Sequence, residues 1–199
     1  MKEMLKNAGI LLAITVIAGF ILGAVYQITK GPIAEAEAAA AMEAYREVFV
    51  DASDFTEIEV NANVLAEGGI VGTDINKVLE AKDTDGSVLG YVFVITNHEG
   101  YGGDIQFTLG VAMDGTTNGI SILAISETPG LGMEAETILK PQFAGKNAEQ
   151  FTYTKTGAVS EDQIDAISGA TITTEAVTNG VNAGLYYFQN VLGGGMANE

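Results

Sequence analysis

The sequence contains no cysteine, no tryptophan, a single histidine and only three prolines in 199 residues. Without cysteine the chain cannot hold an iron–sulfur cluster, a thiolate zinc site, a c-type haem attachment or a disulfide. With His98 as the only histidine it cannot build a multi-histidine metal site or a bis-histidine haem, and a Ser-His-Asp triad would have to use that one residue. Redox chemistry in such a chain requires an organic cofactor. Basic residues are scarce as well. Nine Lys and Arg stand against 26 Asp and Glu, a formal net charge of -17. Nucleic-acid binding needs clustered Lys and Arg, so no nucleic acid is expected as a partner.

Charge is missing altogether from residues 7–29, NAGILLAITVIAGFILGAVYQIT, between Lys6 and Lys30. As a helix this run extends about 34 Å at ~1.5 Å per residue, enough for a hydrocarbon layer of about 30 Å. A cleaved signal peptide is the competing reading, because Ala34 to Ala38 (AEAEA) offers cleavage sites. The apolar run, however, exceeds a signal core of about 7–15 residues, and those sites lie well past its end. The expectation is an uncleaved, single-pass anchor in the cytoplasmic (inner) membrane. Lys2 and Lys6 favour a cytoplasmic N-terminus, which puts the acidic remainder on the extracytoplasmic side.

Residues 33–49, IAEAEAAAAMEAYREVF, predict a helix leaving the membrane, with Met42, Tyr45 and Phe49 on one stripe that packs on the outer domain. Strand patterns follow at 87–96, 104–113 and 119–126, with an outer strand at 55–60. The dipeptides Asp85-Gly86 and Asp114-Gly115 divide them into an antiparallel meander. Residues 134–150 read as helical around Pro141. Val177, Val181, Gly184, Leu185, Phe188 and Leu192 form one face of a last helix, which Gly193, Gly194 and Gly195 end. The fold class is α+β: an N-terminal transmembrane helix, then an antiparallel sheet with packed helices.

Three glycine-bearing segments interrupt this scaffold. HEGYGGDI (98–105) reads first as a connection between strands in which glycine supplies positive φ; Tyr101 and Gly102 would also let a flat ligand approach a bare backbone. SETPGLGMEAE (126–136) holds Pro129-Gly130, the residues of a type II turn. Around that turn stand the carboxylate of Glu127, the hydroxyl of Thr128, the apolar Leu131 and the bare backbone of Gly132. A heteroaromatic ring needs polar partners at its edge and an apolar contact on its face, and this loop offers both. DAISGATITTEAV (165–177) opens the last helix. Helix N-termini favour phosphate through free N–H groups and the dipole, and Gly169 and Ala170 leave room for a bulky group. Thr171, Thr173 or Thr174 would cap the helix, but capping leaves Ser168 and the surplus hydroxyls unexplained.

Taken in order, the anchor, the GYGG loop (Tyr101-Gly102-Gly103), ETPGLG (127–132) and SGAT (168–171) resemble one family along nearly the whole chain. It is the FMN-binding family shared by the G subunit of the Rnf complex and the C subunit of the sodium-pumping NADH:quinone oxidoreductase. That family's flavinylation signature is aspartate, two residues, Ser or Thr, then Gly-Ala-Thr. Asp165-Ala166-Ile167-Ser168-Gly169-Ala170-Thr171 matches it without departure.

The resemblance implies that Thr171 carries covalent FMN as a phosphoester, installed by a separate flavin transferase from FAD. It places Glu127, Thr128, Gly130, Leu131 and Gly132 beside the flavin ring, with Tyr101 and Gly102 near it. Ser168, Gly169 and Ala170 would surround the attachment point, and Thr173 and Thr174 would bond the phosphate or cap the helix. It further implies an electron relay among the other membrane subunits of an Rnf-type complex, with no metal of its own. The expected division is a tail and anchor (1–30), a helical stalk and start of the outer domain (31–80), and the FMN-binding domain (81–199). The equivalent quinone-reductase subunit, and a tethered assembly module without cofactor, are the alternatives.

Overall fold

Two turn dipeptides set the frame of the sheet. Gly86 and Gly115 have φ of +82° and +85°, a region glycine enters without steric cost. They set β2 (Thr73–Lys82) against β3 (Val88–Asn97) and β4 (Ile105–Ala112) against β5 (Thr116–Ala124). With β1 (Asp54–Ile58) and β6 (Lys146–Asn147) at the edges, the six strands run in the order β1-β2-β3-β4-β5-β6, every neighbour antiparallel. The expected meander is therefore present, and the computed structural model adds β2, which the sequence pattern did not suggest. The strand carries a register shift between Ile75 and Lys77. That shift breaks the period-two alternation by which strands are recognised.

The structure describes residues 1–61 and 63–193, and the chain divides into two compact units, Met1–Ala41 and Met42–Glu199. The boundaries expected at 30 and 80 do not coincide with this division, and β2 runs through residue 80. The first unit is made of the long helix α1 (Lys2–Val48) up to Ala41, and the helix continues through Gly31-Pro32 where a second helix was expected to begin. It is long and apolar enough to cross a membrane, and its apolar window is wholly exposed.

Within the second unit the sheet is covered on both faces. On one lies α3 (Thr171–Val191), whose Val177, Val181, Leu185 and Phe188 are buried as the helical spacing requires. Gly180 and Gly184 bring α3 close. A Cβ on Gly180 would stand 2.7 Å from the Phe107 ring, and one on Gly184 2.7 Å from Leu109. Leu192 follows the helix half-buried; Gly194 and Gly195 lie outside the described residues. On the other face the last residues of α1 sit in a socket of small residues. A Cβ on Gly110 would stand 2.8 Å from Val48 Cβ, and one on Gly90 2.6 Å from the Phe49 ring. Ala44, Tyr45, Val48 and Phe49 are buried there, while Met42 stays exposed.

The expected helix over 134–150 is replaced by 3-10 and π turns over Gly132–Glu134, Ala135–Leu139 and Lys140–Phe143, followed by β6. Pro141 lacks the donor that a longer helix would need. Gly145, with φ +70°, then turns the chain so that its N–H donates to Thr117 O on β5 at 2.7 Å. A short parallel pair, β7 (Thr152–Thr154) and β8 (Gln163–Asp165), leads into the segment before α3.

Candidate functional site

The three glycine-bearing segments meet. The β3–β4 connection (98–104) and the segment after β5 lie backbone to backbone, because a Cβ on Gly102 would fall 2.1 Å from Ser126 O. Gly102 N–H donates to Glu127 Oε1 at 3.2 Å. That contact holds a carboxylate that is only 6% exposed.

The second segment is the type II turn expected of Pro129-Gly130. Leu131 N–H donates to Thr128 O at 3.1 Å, and Gly130 has φ +75°. The turn leaves Leu131 partly exposed and brings Gly132 against α3. A Cβ on Gly132 would stand 2.6 Å from Thr173 Oγ1 and 2.7 Å from Glu127 Cβ.

The third segment is a tight loop ending in the first turn of α3. Gly169, at φ +77°, reverses the chain, and Ala170 N–H donates to Ile167 O at 3.1 Å. The first helical hydrogen bond runs from Thr174 N–H to Ala170 O at 3.0 Å. The N–H groups of Thr171, Ile172 and Thr173 therefore point out of the helix end without intrahelical partners. The residue before the helix is Ala170, which has no side chain to cap it, and no side-chain cap bond is present. The expected capping by Thr171, Thr173 or Thr174 is thus not found. Thr174 instead turns inward: its Oγ1 accepts from Ile167 N–H at 3.1 Å and donates to Ala170 O at 2.9 Å, fully buried. It closes the loop from beneath and is not available to a ligand.

These segments line a cavity of about 510 Å³ formed by Tyr101, Glu127, Thr128, Leu131, Gly132, Gly169, Ala170, Thr171, Ile172 and Thr173, a size typical of cofactor sites. Nine of the thirteen residues singled out in the sequence are in its wall. Ser168 and Gly130 are at the surface outside it, and Gly102 and Thr174 support it from behind. Ile172, 49% exposed, is the lining residue that sequence reasoning passed over. Its signal was an apolar side chain in the first turn of a helix, beside hydroxyls.

A cleft of about 540 Å³ along the flank of α3 is as large, lined among others by Glu99, Glu149, Asn179, Asn182 and Tyr186. It has carboxylates where the first cavity has a helix N-terminus, so size does not decide between them and electrostatics favours the first for a phosphate-bearing ligand. None of the three segments around the first cavity contains Lys or Arg, so an anion there would rely on backbone N–H groups and hydroxyls alone. The residues fit a flavin mononucleotide in kind: amide donors and a hydroxyl at one end, a polar edge at Glu127 and Thr128, and apolar faces from Leu131, Ile172 and Tyr101.

Thr174→Val keeps the shape of that side chain and removes its two hydrogen bonds. Because Ile167 N–H is left without this partner in a buried place, the variant is expected to lose about 1–3 kcal/mol of stability, read as a lower denaturant midpoint with an unchanged slope.

The FMN-binding domain family matches residues 100–186, and the RnfG N-terminal region matches residues 1–48. The chain is similar to the G subunit of the Na(+)-translocating ferredoxin:NAD(+) oxidoreductase complex of Acetobacterium woodii, 32% identical over 96% of this chain and 94% of that one. It is also 32% identical to the G subunit of the ion-translocating oxidoreductase complex of Methanosarcina acetivorans, over 94% of this chain and 95% of the relative. Its fold resembles the crystal structure of Shewanella oneidensis NqrC, with a TM-score of 0.51 at 20% identity over 73% of this chain and 84% of that one. The chain belongs to the family of G subunits of ion-translocating oxidoreductase complexes and carries an FMN-binding domain over residues 100–186.

Proposed function

We propose that the chain is a membrane-anchored electron-transfer subunit of an Rnf-type complex, and that its FMN is joined through its phosphate to Thr171 Oγ1. The observation that carries the reading is the position of Thr171: first residue of α3, in the wall of the cavity, next to free helix N–H groups. The flavin ring supplies reversible uptake and release of electrons. The chain's own residues hold it. Glu127 and Thr128 would offer polar atoms to the ring, Leu131 and Tyr101 would give it apolar contact, and Thr173 Oγ1 and the amides of the helix end would hold the phosphate.

The absence of Lys and Arg from all three segments supports a covalent link. Helix-end amides contribute only about 0.3–1 kcal/mol each way to an exposed anion, and the surrounding acidic domain repels one. A threonine hydroxyl is unreactive without a base, and no histidine lines the cavity, so a separate flavin transferase does the chemistry. The Thr171 Oγ1–H adds to the FMN phosphorus of FAD, the phosphoanhydride bond breaks, AMP leaves, and the hydroxyl proton passes to a base of the transferase.

Similarity along nearly the full length to G subunits of ion-translocating complexes favours a relay in a ferredoxin:NAD oxidoreductase, with the other membrane subunits as partners. The likeness to NqrC supports a quinone-reductase role only at the level of fold. Co-expression with a flavin transferase tests the reading: the intact mass should rise by one FMN less a water, and yellow colour should survive denaturation. Free flavin that washes out on denaturation would overturn it. The domain is proposed to stand outside the cytoplasm. A periplasmic reporter fused after Glu199 should then be active and a cytoplasmic one silent, and the reverse pattern would invert the topology.

A further inference from the structure

The only histidine of the chain lies outside the cavity, at the base of the connection that supports it. His98 begins the 98–104 loop and Asp104 ends it, and His98 Nδ1 is 2.9 Å from Asp104 Oδ1. On the other side of the ring, Nε2 is 3.1 Å from Asp74 Oδ2 on β2. Each imidazole nitrogen therefore faces a carboxylate oxygen. A neutral ring has one N–H and one lone pair, so it satisfies one of these contacts and directs its lone pair at the other carboxylate. Both contacts form together only when the ring carries both protons. Further backbone ties fix the same base: His98 N–H donates to Gly72 O at 2.8 Å, and the buried Asn97 side chain accepts from Glu99 N–H at 2.9 Å.

The loop closed in this way is the one that reaches the cavity. Tyr101 lines it, and Gly102 N–H holds the Glu127 carboxylate. Side-chain contacts run from Asp74 through His98 to Asp104, and two residues back along the same loop Gly102 N–H reaches Glu127.

We propose that His98 is a positioning residue for the flavin site, a doubly bonded imidazolium that closes the 98–104 loop and so makes the placement of Tyr101 and Glu127 depend on pH. The proposal rests on the cavity being the flavin site. The titratable groups facing the ring are Asp74 from β2 and Asp104 from the loop's far end. Glu99 is turned aside, packed over Gly72, where a Cβ would stand 2.7 Å from its carboxyl carbon.

The hydrogen bond to Asp104, then that to Asp74, holds the imidazole above its ordinary pKa of 6.5. For a group raised on folding, the stabilisation is fully present below about pH 6.5 and is lost as pH rises through the folded value. The ring is half exposed, so the energy is that of a screened surface pair. Alkaline pH, not acid, should loosen the loop.

The experiment uses the full chain in detergent, with and without flavin. Because there is one histidine, selective labelling gives a single imidazole signal. In the flavin-free chain it should titrate above 6.5, and Asp104→Asn should lower that midpoint. Hydrogen exchange in the peptide covering 98–104, corrected for its intrinsic pH dependence, should quicken by roughly threefold across the same midpoint, as expected for a screened pair. In the flavin-loaded chain, the difference in midpoint potential between wild type and His98→Gln should change with pH and inflect at the His98 midpoint, with flavin content equal.

An imidazole titrating at or below 6.5, or loop exchange that ignores its titration, overturns the clamp. Clamped exchange with a pH-independent potential difference overturns the link to the flavin. If no flavin is bound, the reading of the cavity fails while the first two measurements still judge the clamp.

Discussion

Thr171→Ala is expected to remove the FMN increment from the intact mass completely, leaving a colourless denatured chain. The hydroxyl is the only atom that this substitution takes from the proposed bond. Thr171 is half-buried at the first position of α3 and makes no side-chain hydrogen bond among the described residues, so the folded state should change by no more than about 0.5 kcal/mol. Loss of flavin therefore cannot be assigned to unfolding, and an unchanged denaturation midpoint checks this.

Two companions sharpen the result. Thr171→Ser keeps a hydroxyl at the same place and should keep the mass increment. Thr173→Val removes the other helix hydroxyl in the cavity wall and should also keep it, because that oxygen is not the acceptor. An increment that survives in Thr171→Ala and disappears in Thr173→Val would move the attachment by two residues and refute the assignment. In Thr171→Ala the cavity still has its helix-end amides but no basic residue, so FMN added to the protein is expected to elute separately on gel filtration.

The site was legible in the sequence to the extent that its chemistry is local. The type II turn at Thr128–Leu131 follows from Pro129-Gly130 alone, and the structure has it with Gly130 at φ +75°. The uncapped N-terminal end of α3 follows from a helix opening after Gly169-Ala170. What no local pattern carries is direction. Thr173 and Thr174 are adjacent, almost wholly buried hydroxyls in one helix, yet one lies at the cavity wall while the other sits beneath the loop and bonds Ile167 and Ala170. Successive helix positions differ by about 100°, and the rotation of α3 against the sheet decides which side chain reaches the cavity. Gly102 was read as a place for a ligand to approach. It is instead the place where another loop approaches.

The fold shows the same division. Strands bounded by Asp-Gly were readable because the turn and the alternation agree. β2 was not, because its bulge between Ile75 and Lys77 sets the two halves of the strand in opposite phase. The helix expected over 134–150 had suitable composition, but its ending is fixed by a tertiary contact: the Thr117 hydroxyl on β5 donates to the carbonyls of Phe143 and Lys146. Likewise the burial of Tyr45 and Phe49 was anticipated from their stripe. Their socket was not, since Gly90 and Gly110 read in isolation only as weak positions in strands.

Gly102→Ala should be the most damaging single methyl group in the site. The added Cβ would sit 2.1 Å from Ser126 O and 3.3 Å from Glu127 Cα, against an ordinary contact of about 3.5–4.0 Å. The obstruction is backbone on both sides, so no rotamer change relieves it. One of the two loops must move by more than an ångström, which costs about 1–3 kcal/mol as an overpacked contact. The movement also withdraws Gly102 N–H from Glu127 and shifts the polar edge of the cavity.

Gly130→Ala is the instructive contrast. A Cβ there meets nothing within 4 Å, yet φ is +75°. Its cost is backbone strain alone, about 1–2 kcal/mol, and it falls on a residue outside the cavity wall. The two variants should therefore lose comparable stability in thermal unfolding and differ in the site: Gly102→Ala loses the visible-band fine structure and circular dichroism of an ordered flavin, and Gly130→Ala retains them. Equal perturbation of the flavin by both would mean that the cavity responds to general destabilisation and that the backbone contact between the two loops has no particular role in shaping it.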